Sequence, residues 1–212
     1  ISSTTRRTFL QLAAGSLAAA SAQAARGREQ TPRLDLLIRG GTIVDGSGDP
    51  RTRNDVGIQG DRIAMIGDLA NARAKTTINA DGLIVCPGFI DMHTHLTSDP
   101  EDPAYFSLSF SDERQAITGV KNARKTLLAG FTTVRNVGAS SYSDVALRDA
   151  INEGDVPGPR MYVFGPPVGI LGGHCSDTNL LPSEYDLTGE NVATGPWEMR
   201  EKVRRNIKYG VD

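Results

Sequence analysis

The sequence predicts an α/β chain in which a small β-rich segment precedes a repeated strand-helix pattern, and three observations carry that prediction. Between residues 34 and 85 short apolar runs are broken by Gly, Asp and Pro, the grammar of strands and turns. After Pro87-Gly88, strand-like runs alternate with helical stripes three times. No strand is followed by a Gly-x-Gly-x-x-Gly turn, and no Gly-x-x-x-x-Gly-Lys-Ser/Thr occurs, so the nucleotide cradles of a doubly wound open sheet are absent. The expected architecture is the first three βα units of an incomplete (β/α)8, or TIM, barrel preceded by a small β-sandwich segment. A complete barrel of this kind needs eight strands and about 250 residues.

The first residues read as an address. Arg6-Arg7 stand just before Phe9-Leu10, a mild apolar run covers 12–20, and Ala22-Gln23-Ala24 supplies a small-x-small cleavage pattern. The run is too short for a bilayer span, which needs about 20 apolar residues. The arrangement resembles a twin-arginine signal, which implies export in the folded state, to the periplasm or beyond, with no stable membrane span. The expected segments are therefore 1–24 (signal), 25–86 (β segment) and 87–212 (barrel units). The chain opens on Ile1 rather than Met and stops at Val211-Asp212, where a fourth strand would begin, so it is expected to be a piece of a longer protein.

In the β segment, Leu34-Asp35-Leu36-Leu37-Ile38 and Thr42-Ile43-Val44 are separated by Gly40-Gly41, and a turn-rich stretch covers 45–50. Asp55-Val56-Gly57-Ile58-Gln59 and Arg62-Ile63-Ala64-Met65-Ile66 flank Gly60-Asp61, a two-residue link that favours a tight hairpin. Residues 77–79 and 83–85 repeat the pattern.

In the barrel units, 89–95 is the first strand. Asp112, with Gln115 three residues on, reads as a capping box opening a helix. Its stripe runs through Ala116, Ile117, Val120, Ala123, Leu127 and Leu128 and stops at Gly130. Residues 132–137 form the second strand. Ser143 caps a helix carrying Val145, Leu147, Ala150 and Ile151 that ends at Gly154, and 160–164 is the third strand. A third helix opens on Pro196, repeats Met199, Val203 and Ile207, and ends at Gly210.

With 39% hydrophobic and 23% charged residues, the composition is that of an ordinary globular chain and names no function. A net charge of −2, with basic residues spread along the chain, leaves no nucleic-acid surface. Of 23 basic and 25 acidic residues, the first 24 positions hold two arginines and no acid, so the remainder carries −4. Cys86 and Cys175 form neither a disulfide framework nor a Cys-x-x-Cys knuckle and are expected to be unpaired.

The chemistry concentrates in Pro87-Gly88-Phe89-Ile90-Asp91-Met92-His93-Thr94-His95. Side chains alternate along a strand, so Asp91, His93 and His95 are expected on one face. Two imidazoles at i and i+2 near the carboxyl end of a barrel strand project where barrel enzymes keep their active sites. Such a pair can hold Zn²⁺ at ~2.0–2.1 Å per nitrogen, with Asp91 one step deeper to brace a ligand from behind. His-x-His alone is weak evidence, but two of the three histidines in the chain fall here, on the first strand of a βα repeat. The alternative is a pair of exposed strand-end histidines.

The run Ala80-Asp81-Gly82-Leu83-Ile84-Val85-Cys86 leading into Pro87 through His95 resembles the entry to the catalytic barrel of the amidohydrolase superfamily, and the likeness extends from about residue 34 to 212. Leu128-Ala129-Gly130-Phe131-Thr132-Thr133-Val134-Arg135, Leu147-Arg148-Asp149-Ala150-Ile151 and Gly158-Pro159-Arg160 resemble the branch of imidazolonepropionase-like enzymes and Xaa-Pro dipeptidases. Gly41-Thr42-Ile43-Val44-Asp45-Gly46-Ser47-Gly48 and Ile63-Ala64-Met65-Ile66-Gly67-Asp68-Leu69 resemble the start of N-acyl-D-amino-acid deacylases. The resemblance implies one or two divalent metals, typically zinc. Its ligands would be the two histidines of strand one, a carboxylated lysine on strand four, histidines on strands five and six, and an aspartate on strand eight that shuttles the proton. Only His93 and His95 can be carried over. Lys202 and Lys208 stand on the helix before strand four and do not match that lysine.

Gly172-Gly173-His174-Cys175 follows strand three inside a long connection, 166–195. The dipeptidase-like branch has Gly-Gly-His here, which implies that His174 contacts the scissile carbonyl or a substrate carboxylate; a loop histidine bonded to backbone is the alternative. Arg135 and Asn136 lie near the end of strand two, and one of them is expected to face the barrel. Arg135 would suit a bidentate bond to a substrate carboxylate or, alternatively, a structural ion pair. The charges of 200–205 read as the solvated face of the third helix. The reading is an exported, metal-dependent hydrolase of a small-molecule amide, a dipeptide or N-acyl amino acid, acting through a metal-activated water and compatible with a homo-oligomer. Cyclic-amide hydrolysis of the imidazolonepropionase type is the alternative chemistry, and a catalytically dead binding or scaffold relative is the alternative class.

Overall fold

The computed structural model describes residues 33–103, 109–176, 182–185 and 188–212, and the signal expected over 1–24 lies outside the described residues. Two compact units divide the chain, residues 1–87 and 88–212.

The first unit is a mixed sheet of β1 (Leu34–Ile43), β2 (Thr52–Gln59), β3 (Arg62–Gly67), β4 (Ala74–Asn79) and β5 (Ile84–Val85). Its order is β3-β2-β1-β4, with β5 following β4 along the same edge of β1. The expected break at Gly40-Gly41 is instead a bulge inside one continuous strand. Gly40 takes φ +69°, the register against β2 shifts between Ile38 and Gly41, and pairing then resumes. Asp55 holds this bulge by accepting the N–H of Gly40 at 2.8 Å and of Leu69 at 3.2 Å. Leu34, Leu37, Leu69 and Ala72 form the small core. A second sheet packed on the first, as a sandwich requires, is not among the described residues of this unit.

The second unit follows the strand-helix rhythm: β6 (Phe89–Thr94), α1 (Asp112–Leu128), β7 (Phe131–Asn136), α2 (Ser143–Glu153), β8 (Arg160–Val163), the short pair β9 (Gly169–Ile170) and β10 (Val192–Ala193), and α3 (Pro196–Lys208). Strands β6, β7 and β8 lie side by side and parallel. Their helix side is closed by Leu96, Ala123, Val134, Leu147, Met161 and Val163, and burial of each Leu or Val there contributes roughly 1.5–3 kcal/mol. Gly119 lets α1 and α2 approach closely, since a β-carbon there would lie 2.8 Å from Leu147 Cδ2.

The third helix opens on Pro196 as expected, whereas the caps of the first two differ from expectation by one residue. Ser111, not Asp112, caps α1; its backbone is extended and its Oγ accepts the Arg114 N–H at 3.4 Å. Ser143 is the first residue of α2 rather than its cap, and its hydroxyl has no hydrogen-bond partner among the described residues. The N-cap is Tyr142, which makes no side-chain cap bond, and within the first turn Asp144 Oδ1 accepts the Val145 N–H at 2.9 Å. The residues before α2, Ser141 and Tyr142, are both left-handed, at φ 46° and 62°. Such conformations cost of order 1–3 kcal/mol each and persist where surroundings hold them. Here the Tyr142 hydroxyl bonds Asn206 at 3.1 Å and its ring packs on Tyr209.

Two apolar stripes also differ. On α1, Gly119 and Ala123 are buried while Ile117 and Leu128 are exposed. On α3, Val203 and Ile207 are exposed, and the packed side is the buried Asn206.

Candidate metal centre

His93 lies in β6 and His95 one residue past its end. Both are exposed. Their rings meet edge to face, with centres 5.5 Å apart and planes at 69°. An ion ~2.0–2.1 Å from a ring nitrogen sits roughly 3.2 Å from that ring's centre, so two tetrahedral imidazole ligands have centres about 5.2 Å apart. The observed spacing fits a shared ion. Among the described residues no cluster of three or more His, Cys, Asp or Glu is placed to hold a metal; a tetrahedral site built on these two imidazoles would need two further ligands.

The expected alternation of Asp91, His93 and His95 is interrupted. Asp91 pairs with Val134 and Thr94 with Asn136, so β6 carries one extra residue in the stretch that contains His93. The Asp91 carboxylate turns onto the main chain and accepts the His93 N–H at 3.0 Å. His95 Nδ1 approaches the Gly138 carbonyl at 3.4 Å. A carbonyl oxygen only accepts, so this bond places a proton on Nδ1 and leaves Nε2 as the nitrogen with a lone pair in the neutral ring.

A cleft of about 400 Å³ opens beside His95. Thr97, Ser98, Asp99, Gln115, Pro167 and the stretch from Gly138 to Ser140 are among the residues that line it, with Phe110 also in its wall. Lys121 bonds Asp99 at 2.5 Å. That bond, together with the Glu101 N–H, holds the Asp99 carboxyl below the ordinary range, so it stays an anion rather than a neutral acid.

His174 is exposed in a turn closed on itself by the Gly173 N–H to Ile170 and the Gly172 N–H to Ser176, and it does not line the cleft. Arg135 alternates with the buried Val134 and Asn136 and so lies on the opposite, exposed face of the sheet, in register with Tyr162. No ion pair of the described residues includes it. Cys86 and Cys175 are free thiols.

Sequence reasoning offered Asn136 only as an alternative to Arg135 for facing the barrel, gave it no partner, and missed Asp144 altogether. Both are wholly buried, joined Nδ2 to Oδ2 at 3.1 Å, and Asn136 also bonds the main chain of Leu96 and Gly138 on either side of the His95 ring. The only signal was a carboxamide at a strand end eight residues before an acid in the first turn of a helix.

A profile of the Amidohydrolase family matches residues 84–211. A solved Xaa-Pro dipeptidase with methionine bound in its active site is 34% identical, with a TM-score of 0.72 over 84% of this chain and 45% of its own. A prolidase complexed with N-methylphosphonate-L-proline is 26% identical, with a TM-score of 0.68 over 83% of this chain and 44% of its own. The D-aminoacylase of Alcaligenes xylosoxydans xylosoxydans is 59% identical over 62 residues, which are 29% of this chain and 13% of that protein. The chain spans less than half the length of these relatives.

Proposed function

The chain belongs to the amidohydrolase family, and on that premise we propose that the protein hydrolyses an amide or peptide C–N bond in a small molecule, a dipeptide or an N-acyl amino acid, with one or two divalent metal ions, zinc by preference. The observation that carries this reading is the pair of imidazoles, 5.5 Å apart, at the carboxyl end of the first parallel strand. Imidazole donors suit zinc. In the same reading, β6, β7 and β8 are the first three strands of a (β/α)8 barrel, the first unit contributes to a sandwich, and the protein is exported.

A divalent ion in such a site supplies Lewis-acid activation of water and of an amide carbonyl. The chain's own residues supply the setting. His93 and His95 offer lone pairs, and Asp91 holds the main chain of His93 through its N–H. The Gly138 carbonyl keeps the proton of the His95 ring on Nδ1, away from the coordinating nitrogen. The cleft beside His95 is wide enough to receive a small amide. Arg135, in no ion pair of the described residues and on the open face, suits a substrate carboxylate, and His174 suits a contact with the scissile carbonyl. The names of the similar solved and curated proteins, a Xaa-Pro dipeptidase and a D-aminoacylase, support the choice of substrates. The test is metal content together with hydrolysis of Xaa-Pro dipeptides and N-acetyl-D-amino acids. A protein that neither binds a divalent metal nor cleaves any of these would sink the reading.

A further inference from the structure

We propose that the buried pair Asn136 and Asp144 positions His95, setting the direction of its ring and which ring nitrogen is left free. The proposal rests on the reading of His95 as a metal ligand.

Asn136 ends β7 and is wholly buried. Its Oδ1 accepts the N–H of Leu96, the peptide directly after His95, at 2.7 Å. Its Nδ2 donates to the Gly138 carbonyl at 3.1 Å, the same oxygen that faces His95 Nδ1. One carboxamide therefore fixes both the main chain beside the imidazole and the acceptor of its ring proton.

The amide is not free to turn over. Its Nδ2 also donates to Asp144 Oδ2 at 3.1 Å, and a carboxylate only accepts. Turned over, the amide would set oxygen against carboxylate and NH2 against the Leu96 N–H. Asp144 is itself fixed: Oδ2 accepts the N–H groups of Phe164 at 3.2 Å and Gly165 at 3.1 Å, and Oδ1 accepts that of Val145. No ion pair of the described residues includes it, so its buried oxygens are satisfied by N–H groups alone. The order runs from main-chain donors after β8, through Asp144 and Asn136, to the Gly138 carbonyl and the imidazole. Groups behind a metal-binding histidine hold its tautomer and orientation in this way, and their loss typically costs about 10–100-fold in metal affinity.

The experiment combines ¹⁵N imidazole spectra of the zinc-free protein at mildly alkaline pH with Zn²⁺ titration against a competing chelator. The wild type should show His95 protonated at Nδ1. Asn136→Leu and Asp144→Leu should move protonation toward Nε2 and weaken Zn²⁺ binding about 10–100-fold. Asp144→Asn, which keeps an oxygen for Asn136, Phe164 and Gly165, should retain both properties. The leucine variants also orphan buried N–H groups and can unfold the loop, so the wild-type spectrum is decisive by itself. A wild-type His95 protonated at Nε2 overturns the proposal, as does an unchanged His95 ring in either folded leucine variant. If His95→Asn binds Zn²⁺ undiminished, the ligand reading fails instead, and the ring spectra still decide the positioning.

Discussion

A β-carbon on Gly88 would lie 2.1 Å from Thr132 Oγ1 and 2.2 Å from its Cγ2, inside the volume that the threonine side chain fills. Gly88 immediately precedes β6, and the next N–H, that of Phe89, bonds the Gly130 carbonyl at 2.9 Å, so the backbone has little room to retreat. Gly88→Ala should therefore lower stability by about 1–3 kcal/mol, the range for overpacked sites. Chemical denaturation measures this, and an unchanged midpoint would contradict the packing described for the start of the first parallel strand.

The bond from Lys121 depresses the Asp99 carboxyl in the folded state. A depressed acid contributes stability that is fully present above its unfolded value, ~3.9, and that is lost as pH falls through the folded value. Wild type and Lys121→Met should accordingly differ in stability near neutral pH and converge in strong acid. Denaturation of both proteins across that range checks the sign. A difference that persists undiminished at the acid end would mean that Lys121 acts through packing.

The His174 ring is exposed and has no hydrogen-bond partner among the described residues. In the proposed enzyme His174→Ala should leave metal content intact while lowering kcat/KM by about 10²-fold, as expected for a lost electrostatic or acid-base group. Loss of metal would make His174 a ligand. An unchanged rate would leave it an ordinary loop residue.

The sequence made the strand-helix rhythm legible because apolar period and glycine stops report on each element locally: Gly154 ends α2 in the left-handed conformation its position requires. Whatever depends on distant partners was not legible. The bulge in β6 that turns Asp91 onto the His93 N–H arises from pairing with β7, and alternation along one strand gives no sign of it. The exposed Val203 and Ile207 show that an apolar repeat marks a helix without telling which side another element will cover. The His93 and His95 pair could be found because the two residues stand two positions apart in the chain, close enough for their rings to meet whatever the pairing with β7. Asp144 could not, since its burial depends on N–H groups of Phe164 and Gly165, some twenty residues on.

In the proposed enzyme, His93 and His95 jointly hold a catalytic metal ion. Zinc content and amide hydrolysis, measured side by side on wild type, His93→Asn and His95→Asn, test it most directly. Each substitution should lower bound zinc and reduce turnover of the best dipeptide or N-acyl amino acid substrate by roughly 10²-fold or more. Variants that keep wild-type metal content and full activity would contradict it.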